Sequence, residues 1–241
     1  MSEGGPLVGF DTATPRLTVA ATRAGETLFE RSSDPAEGER PAHARELLGA
    51  AEEAADAAGG WEGVEAIAVG IGPGSFTGLR IGVATARALA QGLGKPLRPV
   101  SSLAALASGM AARSVPDEQR LAVLDARRGQ VFAALYGASG ETVWEPFVAS
   151  PEETAMRVAS LGGTPLAAGD GSIRFRPQLE QAGARVLAGD NEAHRISARH
   201  VCVLAAGVEP SKPADVEPIY LRPPDAELWR EQQRREANRK R

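Results

Sequence analysis

The chain of 241 residues has one cysteine, Cys202, and three histidines, His43, His194 and His200. A single cysteine excludes an internal disulfide and supplies no thiolate cluster for a metal, as expected of a protein kept in a reducing cytoplasm. The histidines are never four apart, so the two-histidine helical turn of a zinc peptidase is missing. There is no apolar run of membrane-spanning length, and the opening MSEGGP has neither the basic nor the apolar region of a signal peptide. A basic excess is lacking too: the formal net charge is -4, which does not suggest a nucleic-acid binder acting alone. With 43% hydrophobic and 24% charged residues, the composition is that of an ordinary globular protein with a good core, in one large domain or two small ones.

What is present is organised around IGPGSFTGLRIGVATARALAQGLG, residues 71–94. An apolar run from Val64 to Ile71 reads as a strand. Gly72, Pro73 and Gly74 then form a tight turn, and Ser75 or Thr77 can cap a helix that runs from Leu79 to Leu93 past Phe76 and Gly78. Two phosphate-binding templates fail here. The P-loop needs Lys after its last glycine, but Leu79 and Arg80 follow Gly78, and the dinucleotide fingerprint needs a third glycine where Thr77 stands. Anion binding by bare N–H groups and a purely structural turn remain as alternatives. Gly78, Gly82, Ala86 and Ala90 recur every four residues, a ridge that another backbone can approach closely. The polar stripe of the helix is Arg80, Arg87 and Gln91, with Ala84 between. So apolar a helix should be covered on more than one side, and the stripe around Ala84 is the expected contact with a partner.

Upstream, Leu7 to Asp11 reads as a strand ending on a carboxylate, followed by a hairpin of Leu17–Thr22 and Thr27–Ser33 turning at Gly25. The loop Asp11-Thr12-Ala13-Thr14-Pro15 has no glycine to bring backbone close to a phosphate. After a polar loop from Asp34 to Pro41, a helix over Ala44 to Ala58 places Leu47, Leu48, Ala51, Ala54, Ala55 and Ala58 at helical spacing, with His43 at its start. Downstream come a strand over Lys95–Val100, a helix capped by Ser101-Ser102, strands over Leu121–Asp125, Gln130–Tyr136 and Thr142–Val148, and a helix starting at Ser150-Pro151-Glu152-Glu153. A strand over Pro165–Gly169, a helix near Pro177–Ala182 and a last helix over Ser197–Gly207 complete the pattern, with Cys202 a small buried apolar residue. Asp125 repeats the strand-end aspartate of Asp11, and an ion pair with Arg127 or Arg128 is the ordinary reading of that turn. Residues 227–241 are charged and basic, carry Trp229, and follow the break at Pro223-Pro224. They read as a solvated tail or as a contact to RNA phosphates, whose deletion should leave the fold intact.

Four stretches, LVGFDTAT, GPGSFTGLRIG, LDARRGQVF and EPIYLR, occur in the order found in the bacterial TsaB family, also called YeaZ, of the glycoprotease-like branch of the actin-like superfamily. The resemblance runs from Leu7 to Arg222. It implies an α/β, two-lobed actin-like fold (ASKHA, ribonuclease H-like) with mixed sheets flanked by helices. The lobes would be residues 1–100 and 101–222, with the last helix packing back on the first lobe and residues 223–241 as the basic tail. It further implies a cytoplasmic, non-catalytic subunit that supports the homologous TsaD in forming threonylcarbamoyladenosine at position 37 of tRNA. TsaE as a second partner, a homodimer, and tRNA contact through the complex belong to the same implication, with no membrane contact. ATP and threonylcarbamoyl-adenylate would bind in the other subunits, leaving this chain without a cofactor, metal or catalytic residue of its own. Asp11, Gly169 and Gly171 match places that serve a nucleotide in catalytic relatives; a strand-end aspartate bonded to local N–H groups and a common αβ turn are the competing readings. The alternative function is an enzyme of this fold, a nucleotide hydrolase or a metallopeptidase.

Overall fold

Every residue of the first strand, β1 (Leu7–Asp11), is buried, as its unbroken apolar run requires of a strand covered on both faces. The computed structural model, which describes residues 4–222, places β1 at the centre of a five-stranded mixed sheet. It pairs antiparallel with β2 (Leu17–Arg23) and parallel with β4 (Ala66–Gly70). Strand β3 (Glu26–Ser33) lies outside β2, and β5 (Leu97–Val100) outside β4. A second five-stranded sheet contains β6 (Arg120–Arg127), β7 (Gln130–Tyr136), β8 (Thr142–Ala149), β9 (Leu166–Ala168) and β10 (Arg185–Val186) in the order β10-β9-β6-β7-β8. Replacing β1–β5 by β6–β10 gives the same order and the same strand senses. The weak echo of Asp11 in Asp125 is therefore part of a repeat of the whole sheet.

Helices follow the same repeat. α1 (His43–Ala57) and α2 (Phe76–Leu93) cover the outer face of the first sheet, and α4 (Pro151–Ala159), α5 (Asp170–Arg174) and α6 (Arg176–Gln181) occupy the corresponding places in the second half. Two helices lie between the sheets: α3 (Ser102–Met110) packs on β6, β7 and β9, and α7 (Ala198–Ala205) packs on β1 and β2. Their apolar faces meet in the central core, which joins Leu103, Leu106 and Met110 of α3 to Val201, Cys202 and Ala205 of α7. Beyond α7 the chain returns to the first sheet, where the Ser211 N–H donates to the Leu97 carbonyl at 2.8 Å and Val216 is buried in the core beneath α1 and α2.

Neither α5 nor β10 is announced by the sequence pattern, and several boundaries shift by a residue or more; three other departures have local reasons. Helix α2 begins at Phe76 because the Ser75 hydroxyl accepts from the Gly78 N–H at 3.3 Å, which winds the first turn ahead of Leu79. The strand expected over Val64–Ile71 narrows to Ala66–Gly70, since the Glu65 N–H is taken by the Pro6 carbonyl outside the ladder. Leu48, expected on the buried stripe of α1, is 57% exposed, because the inward stripe is Leu47, Ala50, Ala51, Ala54 and Ala55. Residues 223–241, with Trp229 and the basic tail, lie outside the described residues. Among the described residues no helix is long and apolar enough to cross a membrane.

Candidate functional site

All four sequence stretches meet at one cleft of about 720 Å³ between the two sheets. The first loop contributes Ala13, Thr14 and Pro15; the glycine-proline turn contributes Gly74 to Thr77. The second half supplies Leu124 to Arg127, Phe132 and Asp170, and the end of the described chain supplies Ile219 to Arg222. No single stretch forms a wall.

The glycines of the turn are used up by the first loop. A Cβ on Gly78 would lie 2.0 Å from the Thr12 carbonyl oxygen, one on Gly74 2.3 Å from that of Ala13, and one on Gly82 2.3 Å from the Thr12 hydroxyl. The small-residue ridge of α2 thus admits the backbone after β1, and two hydrogen bonds lock the contact while a third caps the helix. The Thr12 hydroxyl donates to the Gly78 carbonyl at 2.8 Å, the Ser75 N–H donates to the Ala13 carbonyl at 2.7 Å, and the Gly78 N–H donates to Ser75. His43, 3% exposed, bonds the Pro15 carbonyl through Nε2 at 3.0 Å and holds the far end of the loop. Burial pulls its pKa below the ordinary histidine value, opposed by that carbonyl and by the charge of Asp11.

Asp11 is fully buried beneath this loop. One oxygen accepts the Ala13 N–H at 2.7 Å and the other the Ser102 hydroxyl at 2.5 Å, while Ser102 in turn accepts the Gly72 N–H at 3.1 Å. Burial raises the Asp11 pKa above the usual carboxylate range, and the Ser102 and Ala13 bonds and the nearby His43 oppose that rise. Both oxygens are engaged within the protein, so the side chain ties β1, the glycine turn and α3 together. Sequence reasoning assigned both serines at the start of α3 to capping; Ser101 caps through the Ala104 N–H at 3.4 Å, and Ser102 is the partner of Asp11. The signal was the doublet itself, since one serine suffices for a cap.

Across the cleft the equivalent aspartate has a different setting. Asp125 accepts from the Arg127 N–H at 2.9 Å and pairs with Arg174 at 2.8 Å and, more loosely, with Arg127 at 3.4 Å. Arg174 comes from α5 and was not foreseen. Asp170 opens α5 and accepts the Asp125 N–H at 2.9 Å. Protein surrounds it on most sides while its carboxyl face stays open to the cleft. That enclosure, together with the charge of Asp125, raises its pKa, against the two backbone N–H bonds it receives. Gly169 and Gly171 bring the start of α5 against β6: a Cβ on Gly169, at φ 111°, would lie 1.9 Å from the Val123 carbonyl oxygen. The Gly169 N–H donates to His194 Nδ1 at 3.1 Å, and His194 Nε2 donates to the Ala188 carbonyl at 2.9 Å, so this buried ring ties the start of α5 to the loop after β10. Among the described residues no three His, Cys, Asp or Glu side chains are grouped to hold a metal ion.

On the outer side of α2, Arg80, Ala84 and Gln91 are exposed and Arg87 is half-buried, while Leu79, Val83, Ala86 and Ala90 face the core. At the start of this stripe the Arg80 guanidinium lies 3.9 Å from the centre of the Phe76 ring, and Phe76 packs on Tyr220 with ring centroids 4.9 Å apart. The turn and EPIYLR are thus in contact, a pairing of distant residues that no local pattern announces. The loop from Pro35 to Pro41, read as a connector, is a wall of the cleft.

Comparison with known proteins agrees with this geometry. Residues 35–182 match the family model described as TsaD, tRNA N6-adenosine threonylcarbamoyltransferase. The chain is 31% identical to the tRNA threonylcarbamoyladenosine biosynthesis protein TsaB of Escherichia coli, over 90% of this chain and 94% of that protein. It is 32% identical to an uncharacterised Mycobacterium tuberculosis protein, over 91% of this chain and 93% of the other. The structure of YeaZ from Pseudomonas aeruginosa aligns with a TM-score of 0.74 at 28% identity, covering 90% of this chain and 100% of that one. A ROK hexokinase from Thermus thermophilus aligns with a TM-score of 0.51 at 15% identity, over 84% and 99% of the two chains, and shares the actin-like fold alone.

Proposed function

The chain belongs to the TsaB (YeaZ) family, whose place is in tRNA threonylcarbamoyladenosine biosynthesis, and on that premise we propose that it is a non-catalytic subunit of that machinery. It pairs through the outer face of α1 and α2 with the homologous transferase TsaD and supports formation of the modified base at position 37 of tRNA. ATP and the threonylcarbamoyl-adenylate bind in other subunits, with TsaE as a further partner, and tRNA is met through the complex in the cytoplasm.

The observation that carries this reading is the fate of the glycine-rich turn. A phosphate cradle needs backbone N–H groups aimed outward. In this chain Gly74, Gly78 and Gly82 admit Thr12 and Ala13, the Ala13 N–H turns back to Asp11, and the Ser75 and Gly78 N–H groups are taken by Ala13 and Ser75. The apolar α2 meanwhile keeps a face of small and cationic side chains in solvent.

Affinity capture of the full chain from cells, with analysis of the modified adenosine after depletion of the protein, tests the proposal. The expected outcome is recovery of the homologous subunit and loss of the modification. Capture without that subunit, with modification unchanged, overturns it. The competing enzyme reading is favoured by the open carboxyl face of Asp170 in the cleft; ATP or peptide turnover by the isolated chain that disappears in Asp170→Asn would replace the partner reading.

A further inference from the structure

The end of the described chain crosses the molecule as a strap. Ser211 bonds Leu97 on the edge of the first sheet, Val216 is buried in the first core, and the Ile219 N–H donates to the Ile71 carbonyl at 2.7 Å. Tyr220, Leu221 and Arg222 then line the mouth of the cleft, and Arg222 reaches Gln130 at the start of β7 at 3.3 Å. The strap therefore links the first half to the second across the opening. Beyond Ile219 Leu221 packs, half-buried, on the central core, and Tyr220 is held on the first half by a stack: Tyr220 on Phe76, Phe76 beneath Arg80, and the Arg80 Nε donating to the Tyr220 hydroxyl at 3.4 Å. Tyr220 is 42% exposed, so the stack is a surface latch rather than part of the core.

Arg80 has two roles at once. It closes the latch, and it stands on the exposed stripe of α2 four residues before Ala84. A cation over an aromatic ring at an exposed site is held weakly, and a carboxylate brought within reach competes for it effectively. From this geometry we infer that Arg80 couples the α2 face to the cleft: a partner that docks on α2 and offers an acidic group to Arg80 draws it off Phe76 and Tyr220, which loosens Tyr220 at the cleft mouth while Leu221 and Arg222 keep their own contacts. The identity of the partner rests on the proposed function; the latch itself does not.

Hydrogen–deuterium exchange on the full-length chain tests this, following peptides that cover residues 217–222. Arg80→Ala should raise exchange there by roughly two- to five-fold, the factor a cation–aromatic contact at an exposed site is worth, with the sheets unchanged and the thermal midpoint lowered by no more than about 4 °C. Tyr220→Phe, which keeps the ring and removes the hydroxyl, should give a smaller rise. Addition of purified TsaD homologue to the wild-type chain should reproduce the Arg80→Ala effect. Unchanged exchange in Arg80→Ala, or a rise spread over the whole chain, overturns the latch. Binding of TsaD that leaves residues 217–222 as before overturns the coupling. If TsaD does not bind at all while Arg80→Ala still loosens the strap, the latch stands and the proposed function falls.

Discussion

Replacing Ala84 separates the folding of α2 from its use as a contact surface. Ala84 is exposed, whereas Val83 and Ala86 beside it are at most 2% exposed, so a long side chain at 84 meets solvent in the isolated chain. The intrinsic cost of Glu for Ala in a helix is below about 0.5 kcal/mol, and Arg80 and Arg87, at i−4 and i+3, return a few tenths each. Folding should therefore change by less than about 0.5 kcal/mol and the melting midpoint by about 1–2 °C for a chain of this size. In Ala84→Arg the same two neighbours repel by a few tenths instead, so that variant should melt slightly below Ala84→Glu. At a close-packed partner surface either side chain overpacks the contact, at about 1–3 kcal/mol, so the dissociation constant for the TsaD homologue, and for a second copy of the chain, should rise about 5- to 150-fold. Ala90→Arg is the internal control: Ala90 is 1% exposed and that variant should not fold. Sedimentation velocity with and without the partner, together with thermal melts, reads both quantities. Association as tight as the parent in both Ala84 variants would refute the placement of the interface, and a loss of more than about 5 °C would refute the separation of folding from binding.

Gly78→Ala should cost about 3 kcal/mol or more, lowering the melting midpoint by about 6–12 °C, because the new Cβ meets the Thr12 carbonyl oxygen at 2.0 Å and neither backbone is free to withdraw; a midpoint within error of the parent would mean the first loop is not packed on α2. Asp11, with its folded pKa raised by burial above the unfolded 3.8, contributes stability that is fully present below 3.8 and lost as pH rises through the folded value. In urea unfolding the wild type should thus lose stability relative to Asp11→Asn on going from about pH 4 to about pH 7, and the opposite slope would show the carboxylate to be favoured inside. Cys202 is fully buried and its thiol is pushed up to about 12 by burial, so the native chain should resist an aromatic disulfide reagent until it unfolds; stoichiometric labelling of the folded protein within minutes would contradict the central packing of α7.

Periodicity and turn chemistry located most of the helices and strands, since Ser75, Ser101, Ser150-Pro151 and Gly94 act within one helical turn of themselves; α5, of five residues, and β10, of two, are too short to show a period and were not legible. The ridge of small residues every four along α2 was equally legible, because spacing on a helix maps directly to a face. Which neighbour uses that ridge was not legible: the contact with Thr12 spans 66 residues, and nothing local distinguishes a glycine that admits a backbone from one that admits a phosphate. Likewise Asp11 and Asp125 end equivalent strands and look alike in sequence. Tertiary structure alone buries the first against Ser102 beneath a closed loop and leaves the second at a cleft, paired to Arg174 of a helix 49 residues on. A residue's spacing fixes the face it occupies; only the packing of distant segments on that face decides whether it meets water, a charge or another backbone.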